Sequence, residues 1–596
     1  MRPARTVPPG ASNRVTPRAR IDPPGPHPRG ALLAPPLVFS SLCALLLACG
    51  TGNGKGKDTG AGDGGEKVIL FITTEMKGTI EPCGCNSDPL GDIARTIALV
   101  EQARRGPTPV VVVDGGSLLF TEPRVSGEKA APERLKAEFL IGMFRDRLAA
   151  AAIGLGPFDL SMGPAAVQPP RQAANLRPGS GVATEPPKLV QAGRVKIGIF
   201  GVVAIGALGD GTLQIDDPVP VARAAVADLR KRGADVIVAL AHMTRKDARD
   251  LARKASGIDL VVVGQNAPAN PARLVEAPEQ VDGAWLVQPA DRGQVVSRID
   301  VTLRAGGGSG PRLVDAIGES RAQVELVSLA RQAADLTAEL ARWKKEAGAD
   351  RAFVAEKEKE LAAIAAEREQ LRTTPLRIPE HGSWFTLSQV RVRKRLACDS
   401  KVVAAKTEVD RLSGQASLEA VKKAGPPPAP PAGKPKYVGI EECESCHQAA
   451  VDFWRKTVHA RAWKTLTDLG KDRSFDCVGC HVTGWDEPGG SNLAFNEPLR
   501  DVQCEVCHGP ASLHVDANGK EKVSSLVRKT PEDRCKGCHS EDHSDTFQYD
   551  AYLRDVTGPG HGQALRAQLG DGPTGHALRA AALEKAGREL GPGCQK

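Results

Sequence analysis

Cys-x-x-Cys-His occurs four times in the last quarter of the chain, at Cys443-Cys446-His447, Cys477-Cys480-His481, Cys504-Cys507-His508 and Cys535-Cys538-His539. This spacing is the attachment signature of c-type haem. The two thiols bond to the porphyrin edge, and the adjacent imidazole takes the iron as proximal ligand. Zinc ribbons also use Cys-x-x-Cys pairs, but they do not require His after every second Cys. The pattern implies four covalently bound c-type haems, with His447, His481, His508 and His539 on iron.

The sixth iron ligand sets potential and reactivity. The chain has five Met, at positions 1, 76, 143, 162 and 243, and none follows Lys436. His/Met ligation within the haem region is therefore excluded. The distal candidates are His459, His514, His543 and His561, while His576 in the tail reads as a surface residue. His459 falls on a helix expected over 448–469, flanked by Trp454 and Trp463. His514 follows a Gly-Pro turn six residues after His508. His543, four residues past His539, is too close for that same iron and would reach a neighbouring haem. His561 sits in a Gly-Pro-Gly-His-Gly loop. Four distal histidines would make four bis-His sites, and fewer would leave an iron five-coordinate.

Such haem is attached outside the cytoplasm, so an export signal is expected. Residues 31–48 are apolar, with 37–48 as the uninterrupted part, preceded by Arg2, Arg5, Arg14, Arg18, Arg20 and Arg29. The stretch is too short for a membrane span and right for a signal h-region. Leu46-Leu47-Ala48-Cys49 resembles a bacterial lipobox, which would make Cys49 the lipidated first residue of the mature protein. A lipid anchor holds a protein at a membrane surface without spanning it. Gly50 carries no acidic retention cue, so the expected place is the periplasm or cell envelope, as an outer-membrane lipoprotein. The formal charge of +8 does not indicate nucleic-acid binding, because much of the excess lies in the leader. Residues 437–545 carry 13 Lys/Arg against 19 Asp/Glu, a net −6. Such a surface suits basic redox proteins as electron donor and acceptor.

The chain reads as a multidomain protein. A signal segment, 1–49, and a flexible tether, 50–67, precede an α/β layered domain over 68–318. There, β-branched runs at 68–74, 109–120, 195–203, 236–242 and 259–264 alternate with helix-like stretches at 91–105 and 221–232. Residues 319–372 are Ala/Glu/Lys-rich, with Leu329, Leu336 and Trp343 recurring every seven residues and a break at 348–350. That pattern predicts a helical hairpin. A strand and a helix extend it over 373–424. A Pro-rich linker, 425–436, is semi-rigid and extended. A mostly helical, haem-packed cytochrome domain follows over 437–562, then a tail, 563–596.

The stretch from Tyr437-Val438-Gly439 through His459-Ala-Arg-Ala-Trp463 resembles the small tetrahaem cytochromes that accept electrons from hydroxylamine oxidoreductase. So do Cys477-x-x-Cys-His-Val-Thr-Gly-Trp485, the Pro488-Gly489-Gly490 turn and Val502-Gln-Cys-Glu-x-Cys-His-Gly-Pro510 with His514. The resemblance implies close-packed haems, mostly bis-His ligation through His459, His514 and His561, and one haem open on one face. A further His expected near Val556-Thr557-Gly558 is absent, which leaves six-coordination of all four irons open.

The α/β region resembles the metallophosphoesterase domain of periplasmic 5′-nucleotidases and related thiosulfohydrolases. The elements are Gly91-Asp-Ile-Ala-Arg95, Asp114-Gly-Gly-Ser117, Gly154-Leu-Gly-Pro-Phe158-Asp159, Leu240-Ala-His242 and Gly264-Gln-Asn-Ala267. Such sites hold two metals on Asp, His and Asn. Here the opening Asp-x-His is Glu75-Met-Lys77, the bridging Asp is Ser117, and the Asn-His pair is Leu155-Gly156. His242 persists and Glu75 is a possible substitute, so the resemblance implies a degenerate domain acting as scaffold or binding module. Cys83-Gly-Cys85 stands where that site would begin. It could hold a metal, exchange redox equivalents, or bridge to Cys398 or Cys594.

The sequence thus points to an exported multihaem electron carrier with no catalytic residue assigned. The alternatives are an oxidoreductase acting on a small nitrogen or sulfur compound at an open haem, and a metal-dependent phosphoesterase or 5′-nucleotidase.

Overall fold

Apolar residues alternating with period two build two facing sheets. In strand Glu66–Thr73, Val68, Leu70 and Ile72 point into the layer between the sheets, and Ile69 and Phe71 point outward to helices. Strand Val236–His242 repeats this, with Val236, Val238 and Leu240 inward and Ile237, Ala239 and Ala241 outward. Strands buried on both faces read as continuous apolar runs, which is why these runs stand out in the sequence.

The computed structural model describes residues 65–82, 85–125, 127–209, 211–270, 273–304, 313–345, 351–589 and 594. The leader with Cys49, most of the tether, Cys83 and the break at 348–350 lie outside the described residues. The first sheet runs in the order Leu313–Asp315, Ser383–Arg391, Val295–Leu303, Glu66–Thr73, Val110–Asp114, Ala152–Ile153. The second runs Glu279–Val281, Ala284–Val287, Leu260–Val263, Val236–His242, Val195–Val203, Lys188–Ala192. Glu66–Thr73, Val110–Asp114 and Ala152–Ile153 are parallel, as are Val195–Val203, Val236–His242 and Leu260–Val263. The expected strand over 109–120 stops at Asp114, because Gly115-Gly116 turns the chain with Gly116 at φ 102°.

The hairpin forms from helices Glu319–Trp343 and Arg351–Thr373, with Leu329, Leu336, Leu340 and Leu371 in its seam and Trp343 edge-on to Phe353 at 5.0 Å. No described helix is long and apolar enough to cross a membrane.

Helix Ser400–Ala424 ties the α/β layers to the haem region. Asp399 caps it by accepting from the Val402 amide at 3.0 Å, and Gly425 at φ 97° ends it. Val402 belongs to the α/β core, whereas Val421 packs with Leu466, Val478, Val482 and Leu493. The Pro-rich run that follows is pinned down. Gly489 N donates to Pro428 O at 2.8 Å, and Lys436 exchanges backbone and side-chain hydrogen bonds with Ser512. Residues 63–596 form one compact unit.

The haem region is mostly helical, in short pieces. The helix expected over 448–469 is broken: Ile440–Trp454 ends, His459–Arg461 makes a 3-10 turn, and Ala462–Leu469 resumes. The cause is tertiary. Val502 N donates to His459 O at 3.1 Å and Trp454 Nε1 donates to Val502 O at 2.8 Å, so both sides of the break are tied to one residue distant in sequence. The tail is structured as helices Gln563–Leu569 and Gly575–Glu589, and it returns to the α/β domain through a Cys398–Cys594 disulfide. Those two cysteines pair with each other rather than with Cys83 or Cys85.

Candidate haem cavity and the cleft beside it

Three of the four motifs line one cavity of about 2530 Å³ between the haem region and the α/β domain. Ordinary ligand pockets run to about 300–1,000 Å³, so this space suits several large planar groups. Its walls include Cys477, Cys480, His481, Cys504, Cys507, His508, Cys535, Cys538 and His539. The first motif lies to one side, where helix Ile440–Trp454 kinks at His447 (φ −118°, ψ 35°).

Three motif imidazoles are held at Nδ1. His481 Nδ1 lies 2.5 Å from Ala462 O, His508 Nδ1 2.7 Å from Val527 O, and His539 Nδ1 3.1 Å from Ser544 Oγ. An Nδ1–H donated to oxygen leaves Nε2 bare for iron and makes it a stronger donor. The donor chemistry therefore fits haem. Sequence reasoning missed these orienting groups. Two are backbone carbonyls, which no side-chain pattern reports, and Ser544 has no fixed place in the motif.

Two further imidazoles stand opposite motif histidines. His514 faces His447 with ring centres 6.3 Å apart and planes at 21°, and His459 faces His539 at 6.3 Å and 39°. Two imidazoles on opposite sides of one metal, at about 2 Å per bond plus a ring radius each, would be separated by about 6 Å. Burial first, and to a lesser degree the nearby His508, hold the His561 imidazole below its usual range, as burial and the nearby His481 do for His459. Among the described residues, no imidazole forms such a ring pair with His481 or with His508. His543 is exposed with Nδ1 tied to Ser540 Oγ at 2.8 Å, and His576 is exposed at a helix start.

The motifs also touch one another. The Cys504 thiol first, then burial, pushes Cys443 well above its usual range; Cys480 and then burial do the same to Cys538. Cys507 feels Cys535 after its own burial. Glu505, inside the third motif, accepts from Val438 N (3.1 Å), Gly439 N (2.9 Å) and Ala511 N (2.9 Å), locking the start of the first motif helix onto the third.

In the α/β domain, the strand ends converge on the cleft expected from the sequence. Asp114, Ser117, Gly156, His242 and Gly264 meet there, and His242 Nδ1 lies 3.4 Å from Gly115 O. Glu75, Lys77, Ser117 and Asn266 all have positive φ, the strain that gathers at functional turns. The cleft is nevertheless filled. A Cβ at Gly156 would stand 2.1 Å from Ser117 Oγ and 2.7 Å from His242 Cε1; one at Gly264 would stand 2.4 Å from Gly115 O. Ser117 Oγ and His242 Nε2 are buried without hydrogen-bond partners. An ammonium, Lys77 Nζ, stands 3.6 Å from Glu75 and 3.1 Å from Asp291. These residues do not fit a dinuclear metal centre.

The cleft has opposed proton linkages. Burial drives His242 down to about 4 and Asp114 up to about 6. The neutral His242 costs stability as pH falls from about 6.5 towards 4. Protonated Asp114 contributes stability that is complete below about 3.8 and lost as pH rises through 6. Asp114→Asn removes only the second. Its stability relative to wild type should therefore rise by about 2 kcal/mol between pH 4 and pH 7. Urea midpoints at the two pH values check this, and a constant difference would contradict it.

A charged ladder joins the two regions. Lys471 contacts Glu81 and Asp410 (2.9 Å), and Lys406 contacts Glu81 (3.4 Å) and Asp92 (3.2 Å). Burial raises both carboxyls, but Lys471 and Lys406 hold Glu81 below its usual range; burial and Glu81 keep Asp410 above. Lys471→Met leaves Glu81 with Lys406 alone and removes the ion pair of Asp410; it should cost about 1–2 kcal/mol, less than a fully buried pair because Lys471 is partly exposed. Urea unfolding measures it.

Residues 442–509 match the family model described as Cytochrome c554 and c-prime. Cytochrome c-554 of Nitrosomonas europaea is 32% identical over 134 residues, covering 17% of this chain and 57% of that protein. The chain thus spans little more than half the length of the curated relative it matches. The C-terminal region is accordingly similar to part of a c-type cytochrome. Among solved structures, a 5′-nucleotidase precursor from Thermus thermophilus has a TM-score of 0.34 at 22% identity, covering 40% of this chain and 52% of that one. The calcineurin-like phosphoesterase YfkN of Bacillus subtilis has 0.32 at 22% identity, covering 41% and 87%.

Proposed function

We propose that this chain is an exported, lipid-anchored electron carrier with four covalent c-type haems. They are attached at Cys443/Cys446, Cys477/Cys480, Cys504/Cys507 and Cys535/Cys538. The observation that carries the reading is the set of motif imidazoles with Nδ1 engaged, two of the four motif histidines facing a second imidazole at 6.3 Å. On this reading His447 pairs with His514, His539 with His459 and His508 with His561, while His481 holds its iron from one side. When bound, c-type haem supplies one-electron transfer at iron. The chain's residues orient the ligands, keep the motifs adjacent and present an acidic surface to basic redox proteins.

The leader-like segment and Cys49 support export and attachment at the cell envelope, with no nucleic acid as partner. The filled cleft supports a scaffold role for the α/β domain over the phosphoesterase reading. Absence of bound divalent metal, with no phosphatase activity in added manganese, is the expected result. A second reading, favoured by three distal candidates (His459, His514, His561) standing against four motif histidines, is an oxidoreductase that meets a small nitrogen or sulfur compound at the open haem. Added nitric oxide or cyanide should perturb one haem only. Reductive turnover of such a compound would make the chain an enzyme, and binding without turnover keeps it a carrier.

A further inference from the structure

One loop touches both the fourth motif and the α/β domain. Ser544 Oγ lies 3.1 Å from His539 Nδ1, and the serine is almost fully buried. Its neighbours in the loop are gripped from outside the haem region. Asp545 accepts from the Ser87 amide (3.2 Å) and from the Ser87 hydroxyl. Asp542 O accepts from Asn86 Nδ2 at 2.8 Å, and the Asp542 carboxylate accepts from Arg292 at 3.3 Å. Within the haem region Ser544 N donates to Ser540 O, Phe547 N donates to Ser544 O, and Ser544 Oγ meets the Tyr552 hydroxyl at 3.2 Å.

We propose that the α/β domain sets the reduction potential of the fourth motif's haem, with Asn86, Ser87 and Arg292 as positioning residues acting through the Ser540–Asp545 loop on His539. The inference rests on the reading that Cys535, Cys538 and His539 hold a haem. A proximal imidazole that donates Nδ1–H to an acceptor is a more electron-rich ligand, and it favours the ferric state. The clamp keeps that acceptor in place. Slackening the loop weakens the hydrogen bond and raises the potential. This gives the domain a role that needs no hydrolytic chemistry, and it makes anything that moves the 86–87 turn or Arg292 a modulator of electron flow.

The test is spectroelectrochemical titration of full-length holoprotein, with haem content read by intact mass. Ser544→Ala should shift one haem upward, changing its oxidised-to-reduced ratio at fixed potential by about threefold to tenfold, the latter being about 59 mV for a one-electron couple. Ser87→Ala combined with Arg292→Gln should shift the same haem in the same direction with all haems retained. The sign is diagnostic. Loss of the Arg292 charge acting through space would favour the ferric state and lower the potential. A downward shift, or an unchanged potential in the double variant, overturns the clamp. A similar shift in Arg194→Gln, which loses an exposed contact with Glu66 outside the loop, overturns it as well. Wild-type protein lacking haem on Cys535 and Cys538 would instead defeat the underlying assignment, a result that the masses of the proteolytic haem peptides distinguish.

Discussion

Asp159→Ala should prevent the α/β domain from reaching its native state. The carboxylate accepts from Ser117 N (2.9 Å), Leu118 N (3.0 Å) and Gly156 N (3.0 Å), and it pairs with Arg171 at 3.2 Å. Both side chains are fully buried. Stranding the Arg171 guanidinium costs about 3–5 kcal/mol, and each orphaned amide adds about 1–3 kcal/mol. The sum reaches the whole stability of a typical domain, about 5–15 kcal/mol. Asp159→Leu with Arg171→Met removes both charges together and should recover only the part due to the stranded guanidinium, about 3–5 kcal/mol, because the three amides stay without an acceptor. Soluble yield and urea midpoints report the outcome. A wild-type midpoint for Asp159→Ala would mean that this carboxylate does not organise the turns around Ser117 and Gly156.

The second large effect is spectroscopic. His514→Ala, His459→Ala and His561→Ala should each convert one low-spin haem to high-spin while leaving haem content unchanged, because the proximal imidazole and both thioether bonds remain. His543→Ala and His576→Ala should change nothing. His543 is exposed and tied to Ser540, and His576 is exposed at the start of the last helix. Paramagnetic resonance of the oxidised proteins counts the conversions. Loss of a low-spin signal in His543→Ala would reassign the distal face of one iron.

Much of the architecture is legible in the sequence where a single physical signal dominates. Strands Val195–Val203 and Val236–His242 fall at the expected residues because burial on both faces leaves no polar interruption. The hairpin follows from a seven-residue repeat whose residues Leu329 and Leu336 are buried. The helix over 448–469 fails because its break comes from Val502, distant in sequence, and not from a local Pro or Gly. The docking of the haem region is invisible in the sequence for a related reason. Lys471 with Glu81, and Asp545 with Ser87, join residues several hundred positions apart. The tail reads as uninformative because its helices acquire a buried face only against Tyr549–Val556, where Gly575 abuts Tyr552. Motif residues can be read directly, since covalent attachment fixes both type and spacing. Orienting groups such as Ala462 O and Ser544 cannot, since they act through the folded backbone.

The central claim is that four motifs carry four haems and that three of the irons are held from both sides. Full-length protein should be titrated reductively while absorbance and paramagnetic resonance are followed, with intact mass recorded on the same sample. The account predicts four covalent haems, three low-spin and one high-spin, the last belonging to the Cys477-Cys480-His481 motif and converted by cyanide. Fewer than four covalent haems, or four low-spin irons indifferent to cyanide, would contradict it.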